Sequence, residues 1–500
     1  MLVFLIMSNH SNNIQTILRA LRLSIYDGVF AQSFAVLTGS IFLPAFALVL
    51  GASPFQIGLL ASIAFFATLS QLAGAFLIEK HQQRKQLVLI SASTARALWI
   101  PVVLISFLWS DSKPALVLNL LILLIISYHI FAHVSGVAWL SWMSALVPDE
   151  IRGRYFGLRN SALSLFTLVS TILGGYYLDW FKEKFPDLSL NRSFEILFGL
   201  AVVLGGISIL FLMKQPEPEI QIKSENHLRE KLKAPLTDRN FRRLLRFAVI
   251  WSFGVNFASP FFIVYMLQDL QLSYTLVSIY TVSSAMADLI GMWAWGHFSD
   301  QIGNRPVIIL NSIIATVLPF LWIFTDASPY SIFLFIPLLH LIGGFSWAGY
   351  NLCSVNLVLR LAPKEGNSIY FAVWNSVNGL SAGLGAISGG FVSSQLHYLG
   401  RYLPFDLESD LKYIFIISAF LRLIPLMGVR SIQEFSGSSV RRAIRVLRSI
   451  RSWTTMMGYH PALHFFIASD RLKEEKSPYW PIWRRKNFSP QNSGADLSKK

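Results

Sequence analysis

Twelve apolar runs, each about as long as the roughly 20 residues a helix needs to cross hydrocarbon, recur along the chain with short polar breaks between them. They fall near 25–50, 56–78, 87–109, 115–140, 156–178, 194–213, 244–267, 274–298, 307–325, 330–358, 368–396 and 411–430. The breaks carry turn chemistry and charge, as in GASP (51–54), EKHQQRK (79–85), WSDSKP (109–114) and TDASP (325–329). Such a pattern predicts an all-α polytopic membrane protein of twelve transmembrane helices. Composition agrees, since 54% hydrophobic against 14% charged residues is too apolar for a soluble globular domain. The opening MLVFLIM is too short for a signal peptide and lacks its basic flank, so the first span is expected to serve as the targeting signal.

The polar break PDEIRGRYFGLRNS (148–161) has a counterpart in PKEGNSIYFAVWNS (363–376) at a shift of 215 residues. Pro148/Pro363, Glu150/Glu365, Tyr155/Tyr370, Phe156/Phe371, Asn160/Asn375 and Ser161/Ser376 coincide, and downstream Gly174-Gly175 falls on Gly389-Gly390. The chain therefore reads as a duplication. It divides into a six-helix half at 1–213, a charged, proline-bearing linker at 214–243, a second six-helix half at 244–430 and a basic tail at 431–500.

Charge sets the expected orientation. Of 42 Lys and Arg, 34 lie on the side of the termini and six opposite, with Arg96 and Arg422 inside spans. Basic residues concentrate on the cytoplasmic side, so both termini are expected there, in a bacterial inner membrane or a plasma membrane. The net charge of +15 then reflects topology, and no motif supports nucleic-acid binding. Within the tail, VRRAIRVLRSIRSW (440–453) sets Val440, Ile444, Leu447 and Trp453 largely opposite its arginines, the pattern of an amphipathic helix on an anionic leaflet. A solvated or partner-bound helix fits the same pattern. One cysteine, Cys353, excludes an internal disulfide and a cysteine-based metal cluster.

The loop GHFSDQIGNRPVIIL (296–310) resembles the signature G-x-x-x-D-R-x-G-R-R of the major facilitator superfamily, with Gly296, Asp300, Gly303 and Arg305 matching and Gln301 and Asn304 departing. The first-half equivalent, FLIEKHQQRKQLVLI, keeps Arg84 and Lys85 but has Phe76 and Lys80 at the glycine and aspartate positions. The resemblance covers roughly residues 20–430. It implies two six-helix halves rocking around a site near the bilayer midplane. It also implies a cytoplasmic gate, in which Asp300 meets the start of the fifth span near Arg154 or Arg159 when the transporter opens outward, with Arg152 alongside. Anchoring topology is the simpler role for these arginines. The glycine series NGLSAGLGAISGG (378–390) permits close helix packing and resembles the antiporter motif G-P-x-x-G-G, without fixing the direction of transport.

By that resemblance spans one, four, seven and ten line the cavity. Span four carries His129 and His133 on one face with Tyr128 beside them. Two imidazoles there can bind an anion once protonated, relay protons, ligate a metal given further ligands, or simply hydrogen-bond a neighbouring helix. Asn256 and Ser252 in span seven, and His340, Trp347, Tyr350 and Asn351 in span ten, suit a moderately polar small molecule. Three charges lie deep, Arg96, Asp288 and Arg422, and Asp288 is the proton-coupling candidate, with a structural ion pair to a buried arginine as its alternative. Asp27 sits nearer the end of span one, within reach of a neighbouring base. The leading expectation is a proton-coupled secondary transporter of a small organic solute, not an enzyme, and with no cofactor. No G-x-x-x-x-G-K-[ST] segment points to ATP. A transporter-like receptor or scaffold signalling through its tail is the alternative.

Overall fold

The computed structural model describes residues 2–81, 83–217, 228–363, 367–399, 407–429 and 434; the basic helix expected at 440–453 lies outside them. Eleven of the expected spans are helices long and apolar enough to cross a membrane: Ile17–Val49, Pro54–His81, Arg84–Trp109, Pro114–Leu146, Asp149–Lys184, Leu190–Met213, Arg239–Asp269, Tyr274–Ile302, Asn304–Phe324, Ser331–Leu361 and Asp410–Gly428. The twelfth, Asn367–Leu399, has 33 residues. At 1.5 Å per residue it is long enough to cross, and its glycine, serine and asparagine residues lower its hydropathy. We number these spans 1 to 12 in chain order, Asn367–Leu399 being span 11. Most run past the apolar core expected from sequence into flanking charged segments, because backbone bonding continues where hydropathy stops. The first helix begins at Leu2.

Local chemistry explains the breaks. In GASP, Gly51 takes φ +82°, Ser53 forms a capping box with Gln56, and Pro54 opens span 2. Asp238 starts span 7 by accepting from the amides of Asn240 and Phe241, both at 2.8 Å. Gly303 joins spans 8 and 9 at φ +90°, a conformation that explains this glycine of the loop signature.

The two halves repeat one packing scheme. Span 1 packs on spans 5 and 6, and span 4 on spans 2 and 3; equivalently, span 7 packs on spans 11 and 12, and span 10 on spans 8 and 9. Between halves, the extensive contacts are span 2 with span 11 and span 5 with span 8, again a symmetric pair. Both involve the end of the bundle that holds loop 51–53, opposite the linker. There the carboxylate of Asp179 accepts from the amides of Tyr274 (3.0 Å) and Thr275 (2.7 Å), the free first turn of span 8. At the equivalent place, shifted by 215, the hydroxyl of Ser394 accepts from the amide of Phe55 (3.1 Å) at the start of span 2.

The repeated glycine pairs work in the same way. A methyl on Gly174 would meet Phe42 Cε1 of span 1 at 3.0 Å, and one on Gly389 would meet Phe257 Cα of span 7 at 3.2 Å, both within a half. The second glycines face across: Gly175 against Ser278 Cβ of span 8 at 2.9 Å, and Gly390 against Phe55 Cα of span 2 at 3.1 Å. The duplication read in the sequence is thus a duplication of contacts, and it closes the loop-51 end.

Candidate substrate cavity

On the linker side of that closure lies a cavity of about 530 Å³, lined by spans 7, 10 and 11 with part of span 2. Its walls carry Asn256, Asn351, Asn375, Asn378, Gln71 and Ser252 among Trp251, Trp347, Trp374 and Tyr350, and, among the described residues, no Asp, Glu, Lys, Arg or His. The aromatic groups brace one another: Trp251 lies 5.3 Å from Tyr350, and Trp347 stands edge-on to Tyr350 at 5.6 Å. Two carboxamides are tied to the frame. Asn378 donates to the Trp374 carbonyl (2.8 Å) and accepts from Ser252 Oγ (2.5 Å), while Asn256 donates to the Ser252 carbonyl (2.9 Å) and keeps its oxygen free. Asn351 and Asn375 are exposed and have no hydrogen-bond partner among the described residues. The cavity therefore offers two whole carboxamides, each donor and acceptor at once, between aromatic faces.

Of the candidates read from sequence, Asn256 and Asn351 line this cavity together. His133 stands behind it: its Nε2 donates to the Ala64 carbonyl (3.1 Å), which leaves Nδ1 to accept from Gln71 Nε2 (3.1 Å), and Gln71 is a wall residue. The ring of His129 lies 6.2 Å from that of His133 and 4.9 Å from Tyr128. His340 lies elsewhere, between Tyr280 and Trp322 at 5.5 Å from each, with Nδ1 on the Ile336 carbonyl. Asp288 is half-buried in span 8, between Ser284 and Gly291, whose backbone meets span 10. It pairs with neither deep arginine, because Arg422 donates to the carbonyls of Ala315 (2.7 Å) and Val255 (3.3 Å), and Arg96 faces Asp27 at 3.9 Å. Among the described residues no group of three His, Cys, Asp or Glu is placed to hold a metal.

Span 11 supplies Trp374, Asn375 and Asn378, which the expectation of a cavity walled by spans 1, 4, 7 and 10 passed over. Spans 1 and 4 line a different cleft, of about 210 Å³, that holds Asp27, Arg96, Tyr128, Trp139 and Arg159. Asp27, expected to meet only a neighbouring base, is 3% exposed and bonded to Ser208 Oγ at 2.5 Å.

The expected gate residues are spread out in this conformation. Arg152 caps the end of span 4 through the carbonyls of Ser144 (3.0 Å) and Val147 (3.4 Å) and pairs with Asp149. Arg154 is exposed, and Arg159 turns inward over the Trp139 ring at 4.0 Å. Asp300 is exposed with no ion pair among the described residues, and Gly296 has Leu352 at ordinary contact distance. Arg305 lends its amide to Glu434 (2.8 Å), which also accepts from the amide (3.0 Å) and side chain (2.9 Å) of Asn304 and from Arg360 (3.1 Å). Asn304, a departure from the signature, thus gives Glu434 both its amide and its side chain.

Two duplicated six-helix halves with a polar cavity among their spans form the architecture of a membrane transporter. The sequence profile of the Major Facilitator Superfamily matches residues 28–386 and 247–468, and the chain belongs to that superfamily. No curated protein matches it by sequence. Its fold is similar to the nucleoside transporter NupG (TM-score 0.61, 15% identity, covering 83% of this chain and 98% of that one). It is similar also to a D-xylose-proton symporter (0.62, 14%, 85% and 100%) and to a bacterial homologue of the lysosomal transporter Spinster in an inward-facing, unoccupied conformation (0.59, 13%, 84% and 97%). At these identities the likeness concerns the fold.

Proposed function

We propose that this secondary transporter carries a small, uncharged, hydrogen-bonding solute with a flat or ring-shaped apolar face. One observation supports this most: among the described residues the cavity walls present carboxamides and aromatic rings and no charged side chain. A charged solute there would give up hydration without a countercharge, whereas a neutral one exchanges water for carboxamide bonds and ring contact. A nucleoside and xylose, the solutes of two transporters of similar fold, are of this chemical kind. The linker end is read as cytoplasmic from the basic residues, and on that reading the closed loop-51 end corresponds to an inward-facing conformer. The halves 1–213 and 244–430 rock about the cavity, tethered by the linker 214–243. Asp288 remains the candidate for proton coupling, and the Asp300 contact belongs to the opposite conformer.

The test is thermal unfolding of the purified chain against nucleosides, pentoses, hexoses and amides, beside amino acids and organic ions, followed by uptake of the best ligand into proteoliposomes. Neutral ring compounds should stabilise the wild type, and stabilise Asn351→Ala only at concentrations about tenfold higher. Stabilisation by charged solutes alone would overturn the reading.

A further inference from the structure

The cleft in the first half shares no lining residue with the neutral cavity and has the opposite character. We infer that it is a second binding site, for a small monocarboxylate with an apolar body. Two guanidinium groups and one carboxylate border it. Asp27 lies 3.9 Å from Arg96 Nη2 and is bonded to Ser208, so it balances Arg96 in place. That leaves one positive charge over. Arg159 has no carboxylate within ion-pair distance among the described residues; its plane rests on Trp139 at 4.0 Å, and its Nε reaches the Ser24 carbonyl only at 3.4 Å. Arg96 Nη1 is buried without a hydrogen-bond partner among the described residues.

A guanidinium in the interior of a membrane protein is costly unless its donors are met, and the planar fork is matched by a carboxylate. The rest of the cleft selects among anions. Ala31, Ala35, Ala92 and Ala132 hollow it out, and Phe34 and Leu212 close its apolar walls. Chloride or phosphate would leave these walls uncovered, and a second carboxylate on the ligand would exceed the single spare charge. A monocarboxylate satisfies both parts, its head toward Arg159 and Arg96 and its aliphatic or aromatic body against the alanines. The space of about 210 Å³ suits an acid of benzoate size.

The measurement is thermal unfolding of the purified full-length chain, with Trp fluorescence alongside because Trp139 lies directly beneath Arg159. Sodium benzoate, phosphate and succinate are each titrated against sodium chloride at fixed ionic strength. Benzoate should give a saturable shift that phosphate and succinate do not match. Arg159→Gln should raise its half-saturating concentration about tenfold or more, and Arg159→Lys, which keeps charge without the fork, should fall between. Arg242→Gln, removing an exposed arginine of span 7, should leave the shift unchanged, and so should Asn351→Ala in the other cavity. The inference is overturned if benzoate acts no differently from chloride, if Arg159→Gln and Arg159→Lys both bind as the wild type does, or if Arg242→Gln weakens binding as much as Arg159→Gln. Failure of neutral solutes to bind, with the benzoate shift intact, would sink only the reading of the larger cavity.

Discussion

Replacing Asp179 with alanine should shift the protein away from the conformer described here without unfolding either half. Asp179 belongs to span 5, yet its carboxylate takes the amides of Tyr274 and Thr275 in span 8, while the adjoining Ser273 caps Leu276 from within its own half. Loss of a capping side chain costs about 1–2 kcal/mol, and loss of a negative charge at a helix N-terminus adds about 0.5–1 kcal/mol. These contacts span the halves, so roughly 2 kcal/mol is lost from the closed loop-51 end alone, a shift of about thirtyfold between conformers. A conformer populated near ~1% would rise to about a quarter of the molecules. Spin labels at Leu188→Cys and Tyr330→Cys, in a Cys353→Ser background, would report it; both positions are exposed, at 52% and 67%, and flank that end from opposite halves. Double electron–electron resonance should show a longer-distance population in Asp179→Ala, and less of it in Asp179→Asn, which keeps an acceptor oxygen. An unchanged distance distribution together with a lowered unfolding temperature would refute the reasoning, since Asp179 would then stabilise the fold and not one conformer.

Other outcomes follow from the same geometry. Glu434→Ala removes acceptors from the first turn of span 9 and from Arg360, and should lower stability by roughly 2 kcal/mol, read by thermal unfolding, with Glu434→Gln recovering part of it. Asn256→Ala and Asn351→Ala should raise the half-saturating solute concentration in uptake assays by about tenfold each, while His340→Ala leaves it near the wild-type value. Asp111, in the loop between spans 3 and 4, is held below the ordinary aspartate value of 3.8 by hydrogen bonds from Ser189 and Asn191, with Arg192 adding to them. A depressed carboxyl stabilises the fold fully above its ordinary value and loses that contribution as pH falls through the lowered one. The difference in stability between wild type and Asp111→Asn should therefore stay constant from about pH 5 to 8, and, for so exposed a group, below about 1 kcal/mol.

The spans were legible because a bilayer imposes the same length on every crossing, and the duplication because its repeat survives in sequence. Faces were harder. Hydropathy marks Asn256, Asn351, His340 and Asp288 alike as polar residues in apolar helices, and only the packing of neighbours decides which of them meet. Span 11 is not among the walls that the resemblance implies, although Asn375 and Asn378 stand in plain view, because its glycine series draws attention to packing and to the antiporter motif. Asp27 and Arg96 each stand out in the sequence, but not as a pair, because nothing in a sequence records that two helices bring distant charges together. Glu434 had no signal at all: an acid after the last span gains its role from a helix start 130 residues earlier.

Gly174-Gly175 and Gly389-Gly390 impose a division of labour on spans 5 and 11. In each pair the first glycine seats its helix against a partner in its own half, a joint kept as the halves rock, and the second lies on a surface that the proposed rocking must open once per cycle. Each helix is therefore a bearing, with a fixed seat and a sliding face one residue apart. Bulk added at the seat damages assembly, whereas bulk added at the sliding face retunes the resting position of the machine. A single methyl group, moved by one position, decides whether the change is felt as folding or as timing.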